Sequence, residues 1–154
     1  MLNPKEINKI NEEVSHLPRP SAACIEALKV VQEERGWVSD QNIKDIAKHL
    51  GMSAEEVDSV ATFYNLIFRQ PVGRNVILVC DSISCWVLGY EKIVEHLKEK
   101  LDLDWGGTTS DERFTLLPIP CLGTCDHAPA LMINHDLHRD LKAEDLDDIL
   151  AQYE

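Results

Sequence analysis

The residues of this 154-residue chain that could carry chemistry are its cysteines. Cys80 and Cys85 make a C-x4-C pair and Cys121 and Cys125 a C-x3-C pair, with 35 residues between the pairs. Two loops that each present two thiolates can enclose a compact metal centre. Three chemistries compete for such a set. Structural zinc of the ribbon and finger type usually brings C-x2-C knuckles, and neither spacing here is one. Dithiol–disulfide exchange usually places C-x-x-C at a helix start and has no need of four cysteines. Four thiolates on two irons are the ligand set of a [2Fe–2S] centre. C-x4-C also opens the plant-type ferredoxin pattern, although the remaining spacing departs from it. Spacing therefore favours iron–sulfur chemistry and leaves zinc open. Gly123 lets the backbone pass close to a sulfur, and Ser82, Ser84 and Thr124 offer hydroxyl donors. The fifth cysteine, Cys24, stands apart from both pairs and reads as a small core hydrophobe.

The elements that must position these pairs are legible from periodicity. Asn75 to Cys80 (NVILVC) is a short, β-branched apolar run of strand length, and the first pair begins at its C-terminal end. The pair runs on into a loop before a helix, Tyr90 to Leu101, with Ile93, Val94 and Leu97 on one face. A turn at Gly106 and Gly107 leads to a second strand, Arg113 to Ile119, and the second pair lies in the loop beyond it. Ala130 to Ile133 predicts a third strand, His135 to Leu137 a fourth, and Leu146, Ile149 and Leu150 a closing helix. The order β-α-β-β-β-α predicts a small α/β sandwich.

Upstream of Pro71 and Gly73 the pattern is helical instead. Asn3, Pro4 and Glu6 predict a capped start for a helix carrying Ile7, Ile10 and Val14. A second helix, with Ile25, Leu28 and Val31, stops at Gly36; Asp40 is the expected cap of a third, with Ile43, Ile46 and Leu50. Ser53-Ala54-Glu55-Glu56 is a capping-box sequence for a fourth. The apolar segment Phe63 to Phe68 is expected to pack between this bundle and the strands downstream. The chain thus reads as a helical bundle over residues 1–73 and a cysteine-bearing domain over 74–154.

Composition narrows the functional classes. Fifteen Lys and Arg against 27 Asp and Glu give a net charge of −12, which argues against phosphate-mediated binding of nucleic acid and against an anionic membrane surface. The cysteine-bearing part is the more acidic: 16 acidic against 7 basic residues over 74–154, compared with 11 against 8 over 1–73. No run approaches the roughly 18 to 20 apolar residues of a membrane-spanning helix. The N-terminus, MLNPKEINKINEE, lacks an apolar signal core, so the chain reads as cytoplasmic, where clustered thiols bind metal or react more often than they form disulfides.

At the cysteines the sequence becomes recognisable. Cys80-Asp81-Ser82-Ile83-Ser84-Cys85 and Cys121-Leu122-Gly123-Thr124-Cys125-Asp126-His127-Ala128-Pro129 closely resemble the E-subunit family of bacterial NADH:quinone oxidoreductase (respiratory complex I), a thioredoxin-like [2Fe-2S] ferredoxin family. The resemblance continues through Ala61-Thr62-Phe63-Tyr64, through Phe68 to Arg74 and through Arg113 to Pro118, and covers nearly the whole chain. It implies a helical bundle followed by a thioredoxin-like ferredoxin domain, with one [2Fe-2S] cluster held by Cys80, Cys85, Cys121 and Cys125 as its metal ligands. It also implies an iron–sulfur subunit that exchanges an electron with the FMN of a partner NADH-binding subunit, beside a further iron–sulfur subunit. FMN and NAD belong to that partner, and the complex lies peripherally on the cytoplasmic side of the inner membrane. The same module recurs in related hydrogenase and formate dehydrogenase complexes.

Three side chains near the cysteines have more than one reading. His127, two residues beyond Cys125, reads as an exposed loop histidine or a hydrogen-bonding neighbour of the site. Pro129 sits where thioredoxin-like folds often place a cis proline. Trp86 either shields the site or packs on the sheet. No glycine-rich phosphate loop or dinucleotide fingerprint occurs in the chain, and no catalytic acid, base or nucleophile is called for.

Overall fold

Four helices build the first part of the chain, and three of them begin where a side chain satisfies their free N–H groups. The computed structural model describes all residues, 1–154, which fall into two units, Met1–Pro71 and Val72–Glu154. In the first unit α1 (Pro4–Ser15) opens on a capping box. The Asn3 side chain accepts from the Glu6 N–H at 2.8 Å, and Glu6 in turn accepts from the Asn3 N–H at 2.7 Å. A turn of 3₁₀ helix at Pro20–Ala23 leads into α2 (Cys24–Arg35), which ends at Gly36. For α3 (Asp40–Leu50) the cap is Ser39 rather than the expected Asp40. Ser39 exchanges hydrogen bonds with Asn42, while Asp40 occupies the first helical position and its carboxylate pairs with Arg69 at 2.7 Å. The Ser53–Glu56 box opens α4 (Ala54–Phe63) as expected.

The core of this unit gathers Ile10, Leu28, Val31, Val38, Ile46, Leu50, Val57 and Ala61, together with Cys24, which is buried as packing. The expectation for Phe63–Phe68 needs correction. Val57 and Ala61 turn inward, one helical turn apart, which leaves Phe63 on the opposite side and 79% exposed. Tyr64 and Leu66 are exposed too, and Ile67 alone of the segment is buried.

One charge pair is built into this core. Glu6 is fully buried, and Arg35 of α2 grips it with two hydrogen bonds, Nε to Oε1 at 2.6 Å and Nη2 to Oε2 at 2.7 Å. The guanidinium, outweighing burial, holds the Glu6 carboxyl below the ordinary carboxylate range. Because the folded pKa is depressed, the stabilisation is complete above the unfolded carboxylate pKa and is lost as pH falls through the folded value. Arg35→Ala strands a buried carboxylate and is expected to cost about 3–5 kcal/mol at neutral pH. The deficit shrinks in acid, where Glu6 of the variant is protonated. Equal deficits by denaturant unfolding at neutral and acid pH would contradict this account.

The second unit is a four-stranded sheet in the order β2-β1-β3-β4. The strands are β1 (Asn75–Cys80), β2 (Phe114–Ile119), β3 (Leu131–Ile133) and β4 (Asp136–His138). All six residues of β1 are buried, as its unbroken apolar run requires of a central strand. It runs parallel to β2 and antiparallel to β3, and β3 runs antiparallel to β4. Helices α5 (Ile83–Val87) and α6 (Tyr90–Leu101) join β1 to β2, and α7 (Leu146–Leu150) closes the chain. Ile77, Val79, Ile93, Leu97, Phe114, Leu116, Leu131, Ile133 and Leu146 form a core separate from that of the helices. Gly73 enters this unit pressed on β2. A Cβ there would stand 3.0 Å from the Glu112 carbonyl oxygen and from the Phe114 backbone, so a larger residue would have to push the β2 backbone aside.

The observed β2, β3 and β4 each begin one residue later than periodicity indicates, and α5 adds a helix where the sequence pattern indicates a loop.

Candidate metal centre

Strand register brings the two cysteine pairs to one place. In the parallel β1–β2 ladder Cys80 stands opposite Ile119, so both strands end together and the chain leaves the sheet side by side at Asp81 and Pro120. The Asp81 N–H still donates to the Ile119 carbonyl at 3.0 Å. Antiparallel β3 starts at the same end, where the Cys80 N–H donates to the Ala130 carbonyl at 3.1 Å. The carboxyl end of parallel strands is the usual location of sites on open α/β sheets.

From that end each pair takes a different environment. Cys80 closes β1 and Cys85 lies on the inner side of α5, and both are buried. Cys121 and Cys125 ride on the loop after β2 and are exposed. Burial first, then the neighbouring Cys80 thiol, push the Cys85 thiol up to about 11. Gly123, at a positive φ of 76° that glycine tolerates, donates its N–H to Cys121 Sγ at 3.3 Å. That bond, with the neighbouring Cys125 thiol and the Ser82 hydroxyl, pulls the Cys121 thiol down. Cys125 is raised by its neighbour Cys121, with Ser84 pulling the other way. Ser82 and Ser84, two of the hydroxyl residues anticipated, thus act on the exposed pair.

Spacing and donor type decide which metal centre these thiols suit. Two sulfurs bound about 2.3 Å from one tetrahedral ion stand about 3.8 Å apart, and Cys121 Sγ and Cys125 Sγ are separated by 3.7 Å. Four thiols, in two pairs brought to one sheet end, supply the four sulfur donors that two irons take. The donor set fits a [2Fe–2S] cluster.

The other residues singled out in the sequence stand around this frame. The Ala128–Pro129 bond is cis. His127 is half-exposed and its Nδ1 lies 2.8 Å from Asp140 Oδ2, so it is a loop histidine held by a carboxylate. Trp86 is exposed. Helix α5 itself escapes sequence reasoning; its one local signal is Ser82, the N-cap position.

An α/β sheet that gathers four thiols at one end, with a backbone N–H donating to sulfur, is the frame of a thiolate-ligated redox protein. The sequence matches the thioredoxin-like [2Fe-2S] ferredoxin family over residues 10–154, and the chain belongs to that family. Its cofactor is accordingly a single [2Fe–2S] cluster. The chain is 49% identical over 153 residues to the NADH-quinone oxidoreductase E-subunit of Pseudomonas aeruginosa and 50% identical over 152 residues to that of Escherichia coli strain K12. In both comparisons 99% of this chain and 92% of the relative are covered. Among solved structures, an NAD+-reducing [NiFe]-hydrogenase in the H2-reduced state superposes with a TM-score of 0.70 at 24% identity. That match covers 81% of this chain and 21% of the hydrogenase chain, and speaks for the fold alone.

Proposed function

We propose that this chain is the [2Fe–2S] electron-transfer subunit of an NADH:quinone oxidoreductase, with Cys80, Cys85, Cys121 and Cys125 as the cluster ligands. The observation that carries the reading is the convergence of both cysteine pairs at one sheet end, in a chain about half identical to E-subunit proteins along nearly its full length. When bound, the cluster supplies a one-electron redox centre; it carries −2 when oxidised and −3 when reduced. The protein's own work is ligation, tuning and docking. Buried Cys80 and Cys85 anchor the inner side, and exposed Cys121 and Cys125 form the outer side toward which a redox partner approaches. The Gly123 N–H donates to sulfur, and the Ser82 and Ser84 hydroxyls beside the exposed pair add to it in offsetting negative charge, while the acidic surroundings oppose it.

The partner in this reading is the FMN- and NADH-binding subunit, with a neighbouring iron–sulfur subunit beside it. No helix is long and apolar enough to cross a membrane, and the complex holds the chain peripherally at the cytoplasmic face of the inner membrane. Iron and acid-labile sulfide analysis of anaerobically purified protein tests the reading. Two of each per chain and one rhombic EPR signal after reduction support it, and a colourless zinc protein refutes it.

The same reading divides the labour between residues 1–73 and 74–154, the first serving assembly and the second holding the cluster. Exposed Phe63, Tyr64 and Leu66 on the helical unit, and a sheet core complete without any helical-bundle residue, support the division. A chain beginning at Arg74 is expected to retain iron and to bind the flavin subunit at least tenfold more weakly. Undiminished affinity in a pull-down titration would contradict an assembly role.

A further inference from the structure

We propose that the outward face of α5 is the docking surface for the electron-exchange partner, a protein face with an apolar centre and a basic rim. The inference rests on the functional reading above and adds to it the residues that make the contact. Ile83, Trp86 and Val87 stand at helical spacing i, i+3, i+4, on one face, and are 68%, 55% and 67% exposed. Leu88 prolongs the same exposed surface past the helix end. The inward side of the same helix buries Cys85. Helix α5 therefore inverts the usual pattern, turning its largest apolar side chains to solvent and its thiol to the interior. Contiguous exposed apolar groups mark interaction sites, and an aromatic at the centre is the composition of an interface hot spot.

Charge identifies the occupant. No Lys or Arg occurs from Asn75 to Glu91 or from Phe114 to His138, the two stretches that carry the cysteine pairs. Asp81 lies just before the Ser82 cap, and Asp126 lies in the Cys125–His127 turn that packs against α5; both are exposed. A second copy of this chain would set these carboxylates against their own kind, and an anionic lipid surface would be repelled as well. A partner presenting basic side chains around an apolar centre satisfies both the patch and its rim. Position gives the face its use. The Cys125–His127 turn packs against α5, so a partner seated on this face lies beside the exposed pair, and electron transfer falls steeply with distance.

The test titrates the full-length, cluster-loaded chain against the purified FMN-bearing NADH-oxidising subunit of the same organism. Trp86→Ala weakens binding by about thirty-fold or more, and the double variant Ile83→Ser, Val87→Ser does likewise. Both keep the visible spectrum of the cluster and its bleaching by dithionite. Wild-type affinity falls as salt is raised. Leu137→Ala, which alters an exposed apolar residue on edge strand β4, leaves affinity unchanged. Should Trp86→Ala lose the cluster, the Ile83/Val87 double variant carries the test. A wild-type chain that fails to bind the flavin subunit refutes the functional reading. A wild-type chain that binds, alongside α5 variants that bind equally well, overturns the docking surface alone. Self-association of the loaded chain through these same residues, seen by sedimentation, would make a second copy the occupant and overturn it too.

Discussion

Replacing any one of Cys80, Cys85, Cys121 or Cys125 by alanine abolishes the visible iron–sulfur absorption or leaves a cluster that decays during purification. Cys24→Ala leaves that absorption at full strength. The contrast follows from what each sulfur can reach. The four paired thiols stand at one sheet end, and loss of any one opens an iron coordination position to water. Within the set the mode of failure differs. Cys80 and Cys85 are buried, so alanine there also leaves space in a packed interior beside Ala130, and unfolding by denaturant moves to lower concentration. Cys121 and Cys125 are exposed, and their alanine variants lose iron with little loss of fold stability. Cys24 lies in the helical core among Ala23, Ala27 and Leu28, where its removal costs packing and no metal. Iron analysis and unfolding curves for the five variants separate these outcomes. Loss of absorption in Cys24→Ala would overturn the ligand assignment.

How far a feature is legible in the sequence depends on the range over which it is determined. Strand β1 is legible because its apolar run is a property of six consecutive residues. The caps at Asn3 and Ser53 are legible because both partners of each box lie three residues apart. Asp40 mimics a cap because Ser39 competes next to it, and the group that claims the Asp40 carboxylate, Arg69, lies 29 residues away. The cysteine spacings indicate metal chemistry, yet spacing has nothing to say about the meeting of the pairs. That depends on the parallel β1–β2 register, a long-range pairing. Helix α5 is not legible because five residues are too few for a period to show, and because its apolar groups face solvent while its sulfur faces inward. The Phe63–Phe68 segment misleads for a related reason. Its apolar composition suggests burial, whereas only Ile67 is buried and Phe63 and Tyr64 remain outside.

NADH added to the isolated, cluster-loaded chain leaves its visible absorption unchanged, whereas dithionite bleaches it; NADH bleaches it once the FMN-bearing subunit is present. The expectation rests on how the chain deploys its glycines and its cations. A dinucleotide fold needs glycines in a tight strand-to-helix turn with the pyrophosphate at a helix N-terminus. The seven glycines of this chain are committed elsewhere. Gly36 and Gly51 end helices, Gly73 presses on β2, Gly89 precedes α6, Gly106 and Gly107 form a turn before β2, and Gly123 donates to Cys121. The cleft lined by Asp40, Ile43, Lys44, Ala54, Glu55, Asp58 and Arg69 carries three carboxylates, and its guanidinium is already engaged by Asp40 and Asp58, so its field opposes a pyrophosphate. On the proposed reading, hydride chemistry falls to the flavin of the partner subunit, which hands over electrons singly. The extent of bleaching in the mixture reports the potential of the docked chain. Basic residues at the partner's face raise it, and exclusion of water lowers it. Stopped-flow mixing of the isolated chain with NADH, with and without the flavin subunit, decides the matter. Rapid bleaching with no flavin present would mean that this chain carries a nucleotide site of its own.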